Sequence, residues 1–286
     1  MAESISPTAP TLLLEPQPAP GGRAPGAVLP RVTIDATALE FLNFAQVHNS
    51  VPLVRELAIS NTGEGALLGL VVRVELEPFM EPWQGTISRL APGATHHLDD
   101  LPLVFRDELL INATERDHGV LRIRVTEEGE GRLIAERSSP VAVLAYNEWR
   151  RDTEPEMLAS FVLPNHPDVG KVVDLARQLV GEATGDPALD GYQSKDPGRA
   201  RAMARAVYGA LGKLGITYAN PPASFEETGQ KIRTPEQILA DGVATCLDVS
   251  VLVAAALEQM GLHPLITLVQ GHAFPGVWLQ EDYRKD

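Results

Sequence analysis

The sequence predicts an α+β protein: a β-sandwich of immunoglobulin type, then an α+β domain rich in helix. Three observations point there. Apolar residues alternate with polar ones over residues 31–147, the period of half-buried strands. From residue 148 the apolar spacing changes to that of helices. The only cysteine, Cys246, opens a strongly apolar helical stretch that is followed by two β-branched runs.

The bulk numbers bound the answer. The chain has 286 residues, long for one domain and comfortable for two, and 44% of them are hydrophobic, enough for packed cores. The formal net charge of −14 argues against a nucleic-acid grip, which needs a basic face, and against a polybasic membrane anchor. No apolar run approaches the roughly 20 residues that span a bilayer, and no signal peptide is evident at the N-terminus. One cysteine makes no internal disulfide and no cysteine-rich zinc site, which fits a reducing cytosol. Neither a cofactor nor a metal is expected.

Residues 1–30 carry seven prolines and three glycines, which oppose regular structure. They read as a flexible Pro/Ala-rich arm, with Leu12, Leu13 and Leu14 its one apolar patch. In residues 31–147, "GVLRIRVTEE" puts Leu121, Ile123 and Val125 on one face and Arg122 and Arg124 on the other. "LVVRVELEP" does the same with Val72, Val74 and Leu76 inward. The stretch from Asn61 to Gly65 between two such runs reads as a hairpin, and "LAPGATHHL" as a further turn. Short strands at this spacing suggest a small antiparallel sandwich. His96 and His97 fall on opposite faces of a strand and make a poor metal pair. Trp83, Trp149 and Trp278 read as core.

The boundary to the second domain, residues 148–286, falls near "YNEWRRDTEPE". In "DVGKVVDLARQLVGEAT", Val169, Val172, Val173, Ala176 and Leu179 share one helical face. A second helix follows and stops at Gly215. "TYANPPASFEETGQ" has no periodicity and is a loop. Tyr192 and Gln193 sit in another loop and read as ordinary loop residues, with a place at the border of the cleft as the alternative.

Thr234-Pro235-Glu236-Gln237 is a helix start, with Thr as N-cap, Pro at N1 and Gln completing a capping box. Asp241-Gly242 ends that helix. Thr245 then caps the next one, with Cys246 at N1 and Asp248 at N3; Asp248 reads as a cap, not a catalytic acid. A helix N-terminus carries about half a positive charge, which favours a thiolate. A cysteine there, beside a cation, titrates at about 3.5–7.5 instead of about 8.5. Backbone N–H groups of the first turn also face a developing oxyanion.

A thiolate needs a base, and geometry selects one. The helix climbs about 22 Å at 1.5 Å per residue. The strand "PLITLV" and its turn return about 26 Å at 3.3 Å per residue. His272 therefore comes back to the Cys246 end, while His263 stays at the opposite end. A lone cysteine is otherwise inert core and a lone histidine after glycine a turn residue; agreement of cap and return length favours a Cys246–His272 dyad.

These residues resemble the transglutaminase-like, papain-like Cys–His superfamily: Cys246 with Asp248 at a helix start, Gly261 after the helix, a strand, then His272 with Phe274 and Trp278 beyond. Gly242 stands four residues before the cysteine, where many members place a glycine one or two before it. The chain also resembles, over "NPPASFEETGQKIRTPEQIL" and "LEQMGLHPLITLVQGHAFPGVWL", the N-terminal region of large bacterial proteins in which a β-sandwich and such a module precede a superfamily 1 helicase. The resemblance implies cysteine-dependent chemistry on an amide of a protein or peptide substrate, by a protease, amidase or deamidase. It further implies a cytoplasmic bacterial protein linked to a helicase or nuclease, in defence against phage or foreign DNA. The alternative is a catalytically silent module that binds a partner. Papain-like folds draw an oxyanion donor from an upstream Gln or Trp, and Gln230 is the candidate. The acid that orients the histidine comes, in that superfamily, from the strand after the histidine strand. Glu281 and Asp282 fall at the wrong end for that role and Asp286 is the last residue, so the domain reads as truncated at its C-terminus.

Overall fold

The computed structural model describes residues 31–151, 155–220 and 229–281. The arm over 1–30, the middle of the loop before Gln230, Asp282 and Asp286 lie outside the described residues. The described chain is α+β, as the two periodicities predict.

The first half packs two sheets over one core. Strands β1 (Val32–Ala38), β3 (Val54–Asn61) and β6 (Thr95–His97) form a sheet in the order β1-β3-β6. The second sheet, in the order β2-β8-β7-β4-β5, joins β2 (Phe41–Leu42), β4 (Leu67–Glu77), β5 (Trp83–Leu90), β7 (Asp117–Glu127) and β8 (Leu133–Val143). Two short helices, α1 (Phe44–His48) and α2 (Asp107–Ile111), lie in the connections. The inward residues are those the alternation marks: Val72, Val74, Leu76, Leu121, Ile123 and Val125 share a core with Leu57 and Ile59 from the other sheet. Cross-strand partners such as Val72 and Val125 face each other in register.

One expectation fails here. Asn61 to Gly65 is not a hairpin. β3 pairs with β1 and β6, while β4 pairs with β5 and β7. Both strands bear an apolar face toward the same core, so the connection crosses from one sheet to the other. Asn61 holds that corner: its side chain accepts from the Gly63 N–H and donates to the carbonyls of Gly65 and Leu90. The same turn residues suit a corner as well as a hairpin, so they do not decide the pairing.

The second half begins at β9 (Glu148–Trp149), a 3-10 turn over Pro155–Phe161, and α3 (Pro167–Thr184). Val169, Val172, Ala176 and Val180 are fully buried; Val173 and Leu179 flank that stripe. α4 (Pro197–Lys213) packs beside it and stops at Gly215, φ 70°. β10 (Thr217–Tyr218), β11 (Gln230–Lys231), α5 (Pro235–Asp241) and β12 (Val243–Ala244) lead to α6 (Cys246–Gln259) and the hairpin of β13 (Pro264–Val269) and β14 (His272–Val277). α6 is buried nearly all round, as its composition demands.

The two halves have separate apolar cores but a shared seam. β9 pairs antiparallel with β11, Trp149 opposite Gln230. Asn43 donates to the Glu148 carbonyl, Asn147 to that of Ile232, and Lys231 to that of Thr114. A small third cluster lies on this seam, and it contains Trp149, Ile232, Cys246 and Ala273.

Candidate functional site

The site is assembled from three local decisions in the chain. The first is the start of α6. Thr245 caps it, accepting from the Asp248 N–H, while the Asp248 carboxylate accepts from the Thr245 N–H at 2.9 Å. Cys246 is thereby fixed at N1, 8% exposed. Asp248 is fully buried and also takes the Arg233 N–H and the Arg233 guanidinium, each at 2.9 Å. That carboxylate is structural: it ties the loop before α5 to the start of α6.

The second decision is the β9–β11 seam, which brings Trp149 and Gln230 to the cysteine. Gly229 permits it, with φ 91° and a Cβ position that would lie 2.9 Å from the Trp149 carbonyl. Gln230, 6% exposed, donates from Nε2 to Thr245 Oγ1 at 2.8 Å. One of its amide hydrogens is thus committed to the helix cap.

The third decision is the hairpin. α6 runs away from Cys246 to Gly261, φ 77°; β13 returns, and β14 starts at His272, paired with Val269. A cavity of about 320 Å³ is lined by Trp149, Gln230, Cys246, Leu247 and His272 together. So the structure brings Cys246, His272 and Gln230 to one cavity. A second cavity of about 440 Å³ is lined by Cys246 and His272 with Tyr208, Tyr218 and Phe274. His263 stays at the far end of α6, stacked on Tyr192 with ring centroids 5.2 Å apart.

The alternative for Tyr192 and Gln193 fails: they do not border this cleft. Tyr192 donates to the Trp278 carbonyl and accepts from the His263 N–H, at the opposite end of the helix. Trp278 is 39% exposed, not core. Trp149 is core and also cavity wall: it is 7% exposed, and its indole N–H is buried with no hydrogen-bond partner. His96 and His97 lie exposed on β6, and among the described residues no group of three or more His, Cys, Asp or Glu could hold a metal ion.

Sequence reasoning missed Tyr218. β10 runs parallel to β12, with Tyr218 opposite Ala244, and Tyr218 lines a cavity with Cys246. Partial desolvation, then the neighbouring Cys246, raise the Tyr218 phenol above its ordinary value. The short β-branched run "ITY" was the signal, too brief to read as a strand. Among the described residues, no carboxylate lines either cavity that touches Cys246. Glu281 follows the far end of β14. No helix among the described residues is long and apolar enough to cross a membrane.

No family model matches the chain, and no curated protein matches it. Among solved structures it is similar to Salmonella alpha-2-macroglobulin reacted with methylamine, with 14% identity and a TM-score of 0.28 over 80% of this chain. The chain spans 16% of that protein's length. A likeness that slight carries no argument.

Proposed function

We propose that the second half is a transglutaminase/papain-like domain, that the sandwich ahead of it is immunoglobulin-like, and that Cys246 performs thiol chemistry on an amide of a protein or peptide. The observation that carries this is the shared cavity of Cys246 and His272, with the cysteine at the N-terminus of a buried helix. The Cys246 sulfur forms a bond to the amide carbonyl carbon, and His272 takes the thiol proton. The carbonyl oxygen gains the negative charge, next to the first-turn N–H groups. The C–N bond then breaks and His272 returns the proton to the leaving ammonia or amine. Water resolves the thioester to an acid, or an amine resolves it to a new amide. Trp149 and the second amide hydrogen of Gln230 are the side-chain donors beside the oxyanion. The sequence resemblance adds a cytoplasmic setting and a helicase-linked neighbour to this proposal.

The second reading, a silent binding module, is favoured by the cavity walls, which offer His272 no carboxylate among the described residues. Such an acid fixes the imidazole tautomer. Alkylation decides between them. Iodoacetamide at neutral pH is expected to label Cys246 at least about tenfold faster in the native chain than in urea, with His272→Ala lowering the native rate about 10–100-fold. A native rate no faster than the unfolded one, and indifferent to His272→Ala, refutes the dyad.

A further inference from the structure

The two cavities meet at Cys246, His272 and Ala273, and their remaining walls differ. The first is walled by the seam and by β13. The second is walled by α4, β10 and β14, and its prominent groups are three rings. Tyr208 is 69% exposed, Tyr218 54% and Phe274 44%. These rings come from three separate elements and converge beside one thiol. No Lys, Arg, Asp or Glu lines that cavity, so a charged group set among the rings, away from Cys246 and His272, would lose water without a compensating partner. Its volume of about 440 Å³ lies within the range of ligand-sized cavities, about 300–1,000 Å³. Exposed aromatic rings grouped in this way favour another ring, through apolar burial and edge or stacking contacts.

The position of the cavity limits its occupant. A group there is continuous with whatever lies over the Cys246 sulfur. The first cavity extends from the same atoms along a different wall, so a ligand that fills both projects to either side of its reacting carbonyl. A terminal or small amide cannot do that; an extended polypeptide can. We infer that the substrate is an extended polypeptide whose reacting amide lies over Cys246 and whose neighbouring aromatic side chain sits among Tyr208, Tyr218 and Phe274. This rests on the reading of Cys246 as the nucleophile. It adds a specificity site: the rings select an aromatic neighbour and reject an acidic one.

The test is binding, which does not need turnover. Cys246→Ala protein is titrated by calorimetry with the capped hexapeptides Ala-Ala-Phe-Gln-Ala-Ala and Ala-Ala-Gln-Phe-Ala-Ala, and with the same peptides carrying Ala or Asp in place of Phe. One Phe peptide is expected to bind about tenfold or more tighter than its Ala counterpart, the effect of burying one ring, with the Asp peptide weakest. Adding Tyr208→Ala should erase the preference and Tyr208→Phe should keep it; Tyr208 is largely exposed, so neither change threatens the fold. Equal binding of the Phe, Ala and Asp peptides, or no binding by any, overturns the inference. So does a preference that survives both Tyr208→Ala and Phe274→Ala. If the Phe preference stands while native Cys246 alkylates no faster than unfolded chain, the aromatic site is real and the catalytic reading is what falls.

Discussion

The buried side-chain polar groups described in the sandwich are closed off, while one beside Cys246 is left open. In the sandwich, Arg73 and Arg124 face each other across β4 and β7, a like-charge pair that would repel. Glu75, 3% exposed, lies between them and meets both, at 3.0 and 2.9 Å. Asn61, 1% exposed, fills its bonding capacity at the corner. Around the cysteine one group breaks the pattern. The Trp149 indole N–H is buried without a partner, the one such side-chain nitrogen or oxygen among the described residues. Three aromatic rings stand 44–69% exposed. A polar group with every bond made is there to hold a fold; one left unmade at a cavity is a candidate for work.

Asp248 is where the second half is closed, so its removal should be the largest structural loss. Asp248→Ala takes the acceptor from the Thr245 N–H, the Arg233 N–H and the Arg233 guanidinium at once. We expect a loss of about 3 kcal/mol, since a buried pair is broken and one partner stays half in solvent. Asp248→Asn, which keeps one acceptor oxygen and the size, should lose clearly less. Urea unfolding read by circular dichroism checks both. A cost below about 0.5 kcal/mol for Asp248→Ala would place Asp248 on the open side of the comparison, among groups held for function.

What was legible in the sequence divides along the same line. The caps at Thr234, Gly242 and Thr245, the buried helix and the return of His272 could all be read, because each depends on residues within about one element of each other. The inward faces of β4 and β7 could be read because alternation is local. Pairing could not. Nothing near Asn61 says which sheet the next strand joins, nothing near Asp248 names Arg233, and nothing near Trp149 says that it meets Gln230, 81 positions further along the chain. The cleft's aromatic wall failed for the same reason: Tyr208, Tyr218 and Phe274 lie on three elements that only the tertiary fold brings together.

The seam is the next place to sharpen the contrast. Glu148 is buried and bonds the Arg116 guanidinium, so it belongs to the sandwich energetically though it opens β9. A fragment ending at Arg151 keeps that pair; one ending at Tyr146 leaves Arg116 alone and frees the Asn43 side chain that donates to the Glu148 carbonyl. The longer fragment should be more stable by about 1–3 kcal/mol in urea titration, and both should unfold cooperatively if the separate apolar cores are separate folding units. Equal stability of the two would mean that the Glu148 contacts serve the seam and not the sandwich.

The smallest effect expected is in the pH dependence, and it separates the halves by sign. On the sandwich surface, Arg132 beside Glu127 and Arg124 beside Glu136 hold those carboxyls below their ordinary 4.5, chiefly by side-chain hydrogen bonds. A depressed carboxyl stabilises the fold above its unfolded pKa, and that contribution is lost as pH falls through the folded value. The sandwich should therefore weaken slightly below about pH 4.5, more so at low salt, since these pairs lie at the surface and are screened. Tyr218 does the opposite at the other end of the scale. Burial and Cys246 raise its phenol above the ordinary 10.0. A raised group contributes its stability below the unfolded pKa and loses it as pH rises through the folded one. The second half should thus weaken above about pH 10, and Tyr218→Phe, which has no phenol to ionise, should flatten that decline. The readout is the absorbance of tyrosinate against pH in native protein, from which Tyr218→Phe should remove a phenol that ionises above the ordinary 10.0. If the variant's titration loses a phenol of ordinary pKa instead, Cys246 does not act on Tyr218, and the shared cavity wall of β10 and the helix start is not the one described.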